Sequence, residues 1–291
     1  KRRTLLSYDP VSVSKQGYPT FMLKEIFEQP EAVLNTIRGR VSFDDFTVTL
    51  DGFPFSQREV KSWSRIVLVG MGTSFHACLL GRMIMESLTG IPAEADNAAE
   101  FRYRDPLVDS STLTISIAQS GETVDTLAAM EEAKAKGCPQ ITICNNPEAQ
   151  TTRVADYTFY MNAGPEVGVA SSKTFTCSLV SLYILALHLG TLRGHIEKSR
   201  RERLIADLGQ LPDLLGSTLT SDHLCRTIAN LYYKKEHFLY LGRNSTYPLS
   251  LEGALKLKEL AYVHAEGTTA AEMKHGPIAL IDDRIPVIAL I

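Results

Sequence analysis

The stretch Ile66-Val67-Leu68-Val69-Gly70-Met71-Gly72-Thr73-Ser74 decides the fold of this sequence. Four consecutive apolar residues predict a buried strand, and the glycine-rich turn after them opens a predicted helix over residues 75–88. Buried strands that alternate with helices form parallel sheets covered by helices on both faces. The alternation continues with predicted strands at 112–117, 140–144 and 157–161 and a predicted helix that ends at Ala135. The sequence therefore predicts an α/β fold with a doubly wound parallel sheet.

Composition and charge narrow the class of protein. The chain has 291 residues, 44% hydrophobic and 22% charged, which is ordinary globular composition and enough for two domains. Because 30 Lys and Arg residues stand against 33 Asp and Glu residues, the net charge is -3, and no basic field predicts binding to nucleic acid or an anionic membrane. The five cysteines are odd in number and form no CxxC pair, which argues against disulfides and zinc and favours a reducing, cytoplasmic location.

Neither a secretion signal nor a membrane span is expected. The basic start Lys1-Arg2-Arg3 is not followed by a continuous apolar core or a small-residue cleavage site. The longest uncharged stretch, residues 174–192, is long enough to cross a bilayer, but threonine, serine and histidine residues interrupt it. We therefore expect this stretch to form a buried helix of the α/β domain.

A second unit of the same kind is predicted after the charged stretch 197–203. The run His237-Phe238-Leu239-Tyr240-Leu241 repeats the first strand, residues 242–246 repeat its turn, and a helix is expected over 249–264. The strand predicted at 285–291 runs to the last residue. Such a half-domain would leave a sheet edge uncovered, so we expect the sequence to be a fragment.

Two turns that follow predicted strands can hold a phosphate. The turn at residues 70–74 places backbone N–H groups and two hydroxyls at a helix N-terminus, where anions bind. It lacks the Gly-Lys-Ser/Thr end of a Walker A loop, and Phe75 stands where the dinucleotide fingerprint needs its third glycine. The turn Gln119-Ser120-Gly121-Glu122-Thr123 has the same character. Each turn alone is better explained by helix capping, whereas two turns at the ends of neighbouring strands favour a phosphorylated small molecule.

A carboxylate–amine cluster is predicted on the helix of the second unit. Glu252, Lys256 and Glu259 are spaced i, i+4 and i+7, which places them within an arc of about 60°. A solvated stripe with an ion pair is the ordinary interpretation, but the flank at 254–265 is too apolar for a surface helix. In an apolar setting, such a pair can move a proton next to a carbonyl, with the carboxylate as base and the cation beside the developing oxyanion.

The histidines show no metal-ligand spacing, so no metal site is expected. His275 lies between Lys274 and the chain-breaking Gly276-Pro277, which predicts a position on a loop. We interpret His76 and His188 as packed against their helices.

Six segments match, in order, the motifs of one enzyme family. They are Phe21-Met22-Leu23-Lys24-Glu25-Ile26-Phe27-Glu28-Gln29-Pro30, Gly72-Thr73-Ser74, Gln119-Ser120-Gly121-Glu122-Thr123, Gly168-Val169-Ala170-Ser171-Ser172-Lys173, Leu251-Glu252-Gly253-Ala254-Leu255-Lys256-Leu257-Lys258-Glu259 and Lys274-His275-Gly276-Pro277. Together they resemble the isomerase half of the glutamine–fructose-6-phosphate aminotransferase (glucosamine-6-phosphate synthase) family, from about Tyr8 to the last residue. The glycine turn alone would indicate only some sugar-isomerase (SIS) domain, whereas the first and last segments are more specific.

The resemblance implies two flavodoxin-like SIS domains, each with a parallel sheet in three αβα layers, the second truncated. The domains would be a helical lead-in at 1–58, a first SIS domain at 59–205 and an incomplete second one at 206–291. The implied activity is an aldose–ketose isomerisation in hexosamine biosynthesis, which converts fructose 6-phosphate and ammonia to glucosamine 6-phosphate without a cofactor. The family also implies a cytoplasmic homodimer or higher homo-oligomer.

The resemblance assigns roles to individual residues as well. Glu259 would move a proton between C1 and C2, and Lys256 would stabilise the oxygen of the enolamine. Glu252 would act through water near the sugar hydroxyls, and His275, contributed by the neighbouring subunit, would catalyse ring opening. The phosphate would be bound by Ser74, Gln119, Ser120 and Thr123, and the sugar would lie near Thr73, Val169 and Ser171.

The sequence departs from the family in three ways. Ala118 replaces the first serine of the usual Ser-Gln-Ser-Gly-Glu, and one hydroxyl to a charged phosphate contributes roughly 1.5–3 kcal/mol, so affinity would fall about tenfold or more. The glutaminase domain, which is the partner that supplies ammonia in the full-length protein, is not in the sequence. Nor is the C-terminal tail, with the lysine that forms a Schiff base with the open sugar. We expect the chain to bind the sugar phosphate and to be catalytically incomplete alone.

Two other functions remain open from the sequence. A stand-alone SIS deglycase or deaminase also lacks a glutaminase domain and uses a similar glutamate, but the segment from Lys24 to Pro30 would not be expected in it. A non-catalytic sugar-phosphate sensor is the alternative from a different class. Glu259 and His275 argue against a sensor, whereas Ala118 gives that hypothesis some support.

Overall fold

The computed structural model describes residues 14–291, so the sequence features at residues 1–3 and at Tyr8 lie outside the described part of the chain. The described part begins with two short helices that precede the first sheet. The side chain of Thr20 caps the first helix by accepting a hydrogen bond from the backbone N–H of Leu23 at 3.1 Å. The elements of this lead-in are α1 (Phe21–Phe27), α2 (Gln29–Ile37), the hairpin strands β1 (Val41–Ser42) and β2 (Thr47–Val48), and α3 (Gln57–Ser62).

A five-stranded parallel sheet forms the centre of the first unit. Its strands are β3 (Arg65–Gly70), β4 (Ala93–Asn97), β5 (Thr112–Ala118), β6 (Gln140–Cys144) and β7 (Tyr157–Tyr160). They lie in the order β4-β3-β5-β6-β7, which is the 2-1-3-4-5 order of flavodoxin-like folds. The predicted parallel α/β sheet is therefore confirmed, with one strand more than the sequence indicated. The missed strand β4 reads Ala-Glu-Ala-Asp-Asn and is only partly buried at the sheet edge, so it carries no apolar run.

Helices cover both faces of this sheet and complete three layers. On one face, α4 (Thr73–Thr89) packs against α8 (Lys173–Arg193), and α2 packs against α8. On the other face, α5 (Ala98–Tyr103) packs against α6 (Val124–Ala135), and Phe101 and Ala129 belong to a separate apolar cluster with Val67 and Val69 of β3. The short α7 (Thr151–Val154) precedes the last strand of the sheet.

The long helix α8 contains the uncharged stretch 174–192. By length and composition alone it is the one helix of residues 14–291 that could cross a membrane. However, 13 of its 21 residues are buried in the unit, including Leu182 and Leu185. The prediction of a buried core helix is therefore confirmed.

The second unit follows two further helices, α9 (Lys198–Leu219) and α10 (Asp222–Tyr232), and the boundary predicted between residues 205 and 206 falls inside α9. Its elements are β8 (His237–Gly242), α11 (Thr246–Ala261), β9 (His264–Thr269), two 3-10 turns (Glu272–His275 and Pro277–Leu280) and β10 (Val287–Ala289). The three strands form a parallel sheet in the order β10-β8-β9, with α11 packed on β8 and β9. The central strand β8 is paired on both sides, as β3 is in the first unit.

The predicted helix at 249–264 is wrong at its C-terminal end. Tyr262 takes a left-handed backbone conformation with φ 55°, which ends α11 at Ala261. His264 instead begins β9 and pairs with His237 of β8. No proline or glycine marks this boundary in the sequence, so only the pairing with β8 reveals the strand.

Candidate active site

A cavity of about 200 Å³ lies at the carboxyl end of the first sheet. The cavity lies between the turn that follows β3 and the end of β5. The order of the strands in the sheet reverses between these two strands. In open α/β sheets, ligands bind at this switch point. All seven residues predicted to bind phosphate or sugar line the cavity, together with the predicted base, Glu259; the seven are Thr73, Ser74, Gln119, Ser120, Thr123, Val169 and Ser171.

Three helices begin at this cavity. The first turns of α4, α6 and α8 contribute Ser74, Thr126 and Thr174 to its wall, with Thr123 immediately before α6. Helix N-termini carry partial positive charge and unpaired N–H groups, so their convergence favours an anion. Within residues 14–291, the side chains of Ser74 and Thr123 form no hydrogen bond to another residue, which leaves both hydroxyls available to a ligand.

The turn after β5 takes its shape from Gly121. Its backbone lies in the left-handed region with φ 67°, and a Cβ there would come within 2.3 Å of the Cβ of Ala149. Neither turn forms the side-chain hydrogen bond of helix capping, which was the alternative explanation for these turns. The N-cap of α4 is Gly72, and Thr123, the N-cap of α6, forms no side-chain capping bond.

The predicted cluster on α11 forms a hydrogen-bonded network in the structure. Lys256 Nζ lies 2.6 Å from Glu259 Oε2 and 3.3 Å from Glu252 Oε1. Lys256 also donates a hydrogen bond of 3.1 Å to Thr73 Oγ1, and Thr73 Oγ1 donates one of 2.9 Å to Glu252 Oε1. A helix of the second unit thus places its carboxylates and amine directly at the N-terminus of α4 in the first.

The side chains of this cluster become more exposed from Glu252 to Glu259 along α11. The side chain of Glu252 is only 8% exposed, that of Lys256 is partly buried, and Glu259 stands at the open edge of the cavity. The expectation of an apolar setting for the whole flank is wrong for the last turn of α11, since Leu260 is 48% exposed. The apolar residues of this turn do not line the cavity.

His76 is a member of the network that the sequence interpretation missed. The sequence indicates a residue packed against its own helix, but the Nδ1 atom of His76 lies 2.7 Å from Glu252 Oε2. The two residues are 176 positions apart in the chain, so no local pattern indicates the contact. The other packed histidine is interpreted correctly, since His188 lies edge-on to Phe53 with ring centroids 4.8 Å apart.

Three further residues named from the sequence have distinct surroundings. Ala118, the residue at which the resemblance implies serine, ends β5 and forms part of the cavity wall. Ser171 Oγ lies 2.7 Å from Thr174 Oγ1, so it is already paired within the loop before α8. His275 is exposed on the first 3-10 turn and does not line the cavity.

A larger groove of about 750 Å³ lies elsewhere, around His237 and His264. These residues begin β8 and β9, so the groove is at the amino ends of the strands, opposite to where parallel sheets bind ligands. No cluster of three or more potential metal ligands occurs in the part of the chain that the structure describes. The smaller cavity is therefore the candidate site.

Comparison with known proteins identifies the family of the chain. A sequence model of the SIS domain family matches residues 59–188 and 231–291. The glutamine–fructose-6-phosphate aminotransferase (isomerizing) of Symbiobacterium thermophilum is 42% identical over 285 residues, which cover 98% of this chain and 47% of that protein. That of Methanosarcina mazei is 41% identical over 290 residues, which cover 100% of this chain and 47% of the relative. The chain thus spans about half the length of these relatives.

Solved structures show the same relationship. The C-terminal domain of glucosamine-fructose-6-phosphate aminotransferase from Francisella tularensis superposes with a TM-score of 0.90 at 38% identity, over 95% of this chain and 77% of that one. Glucosamine-6-phosphate deaminase from Thermotoga maritima has a TM-score of 0.72 at 22% identity, over 93% of this chain and 76% of that one, which shows the shared fold alone. The resemblance found in the sequence motifs is confirmed, and the chain belongs to the SIS domain family.

Proposed function

We propose that this chain is the sugar-phosphate isomerase part of a glutamine–fructose-6-phosphate aminotransferase. Its reaction would convert fructose 6-phosphate and ammonia to glucosamine 6-phosphate and water, with the ammonia supplied by a glutaminase domain of the full-length protein. The observation that carries the proposal is the position of Glu259, paired with Lys256, on the wall of the cavity that also holds Ser74 and Thr123. The names of the relatives support the choice of substrate.

The phosphate would occupy the part of the cavity between the two turns. Ser74, Gln119, Ser120 and Thr123 offer hydroxyl and amide groups there, and the N-termini of α4 and α6 add favourable electrostatics. Ser120 Oγ accepts a hydrogen bond of 3.3 Å from the N–H of Glu122, which leaves its own proton free to donate to a phosphate oxygen.

The sugar carbons would then lie between Thr73, Val169 and the carboxylate of Glu259. Glu259 would take the proton from one of C1 and C2 and return it to the other, as an aldose–ketose isomerisation requires. Lys256, 2.6 Å from that carboxylate, would stabilise the negative charge that develops on the substrate oxygen. Because both oxygens of Glu252 contact protein groups, we assign it to holding Lys256 and Thr73 in place, in addition to its proposed contact with the sugar through water.

Ring opening would fall to His275 of the partner subunit in a homodimer. His275 is exposed and outside the cavity of its own chain, which suits a residue that acts in a neighbouring site. A cytoplasmic location and a role in hexosamine biosynthesis follow from the proposed reaction. The deaminase alternative shares the fold at 22% identity, whereas the aminotransferase relatives share 41–42% of the sequence over nearly the whole chain.

The test is nuclear magnetic resonance of fructose 6-phosphate in D2O. With the protein present, the substrate signals should broaden, and the C1 protons should exchange with deuterium. Glu259→Gln should keep the broadening and lose the exchange, whereas Glu266→Gln, an exposed carboxylate on β9, should keep both.

Two outcomes would contradict the proposal. Folded protein that causes no broadening would exclude fructose 6-phosphate as a ligand. Broadening without exchange, even when the chain is extended to the length of its relatives, would favour the sugar-phosphate sensor.

A further inference from the structure

Helix α1 contacts the loop before α8, which contributes residues to the candidate site, although α1 lies outside the residues that match the SIS family. The match begins at residue 59, whereas α1 spans Phe21–Phe27. Its inward side carries two charged residues, Lys24 and Glu25, each only 2% exposed. Burial of charge is costly without compensating partners, so these side chains are expected to have a specific task.

Glu25 binds the loop that leads from β7 to α8. One carboxylate oxygen accepts hydrogen bonds from the N–H of Val167 at 2.6 Å and of Gly168 at 3.0 Å. The other oxygen also lies 3.1 Å from the N–H of Gly168. A single carboxylate therefore fixes two successive peptide groups of the loop.

The contact with Glu25 leaves no room for a side chain at residue 168. A Cβ added at Gly168 would lie 2.5 Å from Glu25 Oε2, which is closer than such atoms approach. A larger residue would push the carboxylate away from the peptide groups. The glycine and the glutamate thus form one matched pair.

The other end of the same loop is tied by the residues that follow α1. Glu28 lies 3.2 Å from Lys24 Nζ and accepts a hydrogen bond of 2.6 Å from Lys173 Nζ at the start of α8. Gln29 Oε1 accepts another of 2.6 Å from Thr176 Oγ1, one turn further along α8. Glu25 of α1 and the α1–α2 junction therefore hold the two ends of the segment 167–173.

Val169 lies between these two anchors and next to Gly168. Its side chain is 99% exposed, so packing of the side chain does not fix its position, yet it lines the cavity. The position of Val169 therefore depends on the backbone of the loop. Glu25 binds that backbone at Gly168, the residue before Val169. The phosphate end of the cavity, by contrast, is formed by the turns after β3 and β5, which Glu25 does not touch.

We propose that Glu25 is a positioning residue for the sugar end of the site, acting through the backbone of Val167 and Gly168 on Val169. The inference rests on the proposed function, because it takes the sugar to lie beside Val169. It predicts that loss of the Glu25 contact weakens binding of the sugar and spares binding of the phosphate.

The experiment compares two probes, inorganic phosphate and fructose 6-phosphate, on wild-type protein and on Glu25→Gln. The glutamine keeps the size of the side chain but presents an NH2 group to one peptide N–H. We expect about tenfold weaker binding of fructose 6-phosphate, the scale of one lost charge-assisted hydrogen bond, and unchanged binding of inorganic phosphate. Amide hydrogen exchange in the segment 167–173 should become faster.

Glu31→Gln is the matched control, since Glu31 is an exposed carboxylate on α2, and it should leave both affinities and the loop exchange unchanged. Gly168→Ala disturbs the same contact from the loop side and should give the same separation of the two probes if Glu25→Gln folds poorly.

Equal loss of both probes, or no change in fructose 6-phosphate binding with unaltered loop exchange, would overturn the inference. If wild-type protein binds inorganic phosphate but not fructose 6-phosphate, the proposed function fails instead. The comparison of loop exchange between wild type and Glu25→Gln still decides whether Glu25 holds the loop.

Discussion

Replacing Glu252 by glutamine should loosen the contact between α11 and α4. The buried carboxylate accepts a hydrogen bond from Thr73 Oγ1 at 2.9 Å and lies 2.7 Å from His76 Nδ1 and 3.3 Å from Lys256 Nζ. Glutamine removes the charge and turns one acceptor into a donor, so at least one of the three partners loses its acceptor.

The expected cost follows from these contacts. One lost charge-assisted hydrogen bond costs about 1.5–3 kcal/mol, and the weakened pairing with Lys256 adds about 0.5–1 kcal/mol. The free energy of unfolding should therefore fall by about 2–4 kcal/mol. Lys256 would still be paired with Glu259, 2.6 Å away, and would not become an unpaired charge. The loss of stability should therefore be smaller than that for breaking a fully buried ion pair.

The assay is urea unfolding followed by circular dichroism and by the fluorescence of Trp63, the single tryptophan, which is buried in the first unit. The measurement is made on Glu252→Gln, His76→Gln and the double variant. Because the two side chains are in contact, their coupling energy should be about 1 kcal/mol or more. The exposed control Glu266→Gln should change stability by less than about 0.5 kcal/mol. A coupling below about 0.3 kcal/mol, with Glu252→Gln no less stable than the control, would refute the reasoning.

Three further predictions concern other parts of the chain. Ala118→Ser adds a hydroxyl to the cavity wall and should tighten binding of inorganic phosphate about tenfold in calorimetric titration; unchanged affinity would mean that the anion does not reach this wall. Cys225 is exposed whereas the other four cysteines are buried, and burial raises the pKa of Cys177 to about 12. A disulfide reagent should therefore modify one thiol rapidly in the native wild-type protein and no thiol rapidly in Cys225→Ser. Burial lowers the pKa of His188 from its ordinary value of about 6.5, so the unfolded chain takes up this proton more readily than the native protein. The stability contributed by neutral His188 is therefore present above about pH 6.5 and is lost progressively as the pH falls below it. Urea unfolding at pH 7.5 and 5.5 should therefore show a larger decrease for wild type than for His188→Phe, and equal decreases would contradict the assignment.

The parts of the fold that the sequence predicted are those with a strong local pattern. Strand β3 contains a continuous apolar run, and β5 and β6 alternate leucine or isoleucine with polar or small residues; each strand is buried along nearly its whole length. Strand β4 is polar and lies at the sheet edge, so its sequence resembles a loop. The end of α11 was misplaced because Tyr262, a residue that seldom takes a left-handed conformation, ends the helix.

The candidate site was predictable in its local parts and hidden in its long-range parts. The two turns and the i, i+4, i+7 spacing of the cluster on α11 each stand within one short segment of sequence. The contact between His76 and Glu252 joins two units, and that between Glu25 and Gly168 joins a lead-in helix to a loop 143 residues away. A charged pair on the inward side of an otherwise apolar helix, as at Lys24 and Glu25, was the one available signal for the second contact.

The hydrogen bonds of Thr73 within the protein limit the kind of hydrogen bond that its hydroxyl can form with a ligand. A hydroxyl has one proton to donate and two lone pairs that accept. Thr73 Oγ1 gives its proton to Glu252 and accepts one from Lys256, so a single lone pair remains for a ligand. Thr73 can therefore receive a hydrogen bond from a sugar hydroxyl but cannot offer one to a phosphate or carbonyl oxygen. Its neighbour Ser74 has an uncommitted proton, so two adjacent hydroxyls of one helical turn would discriminate between the two ends of the proposed substrate.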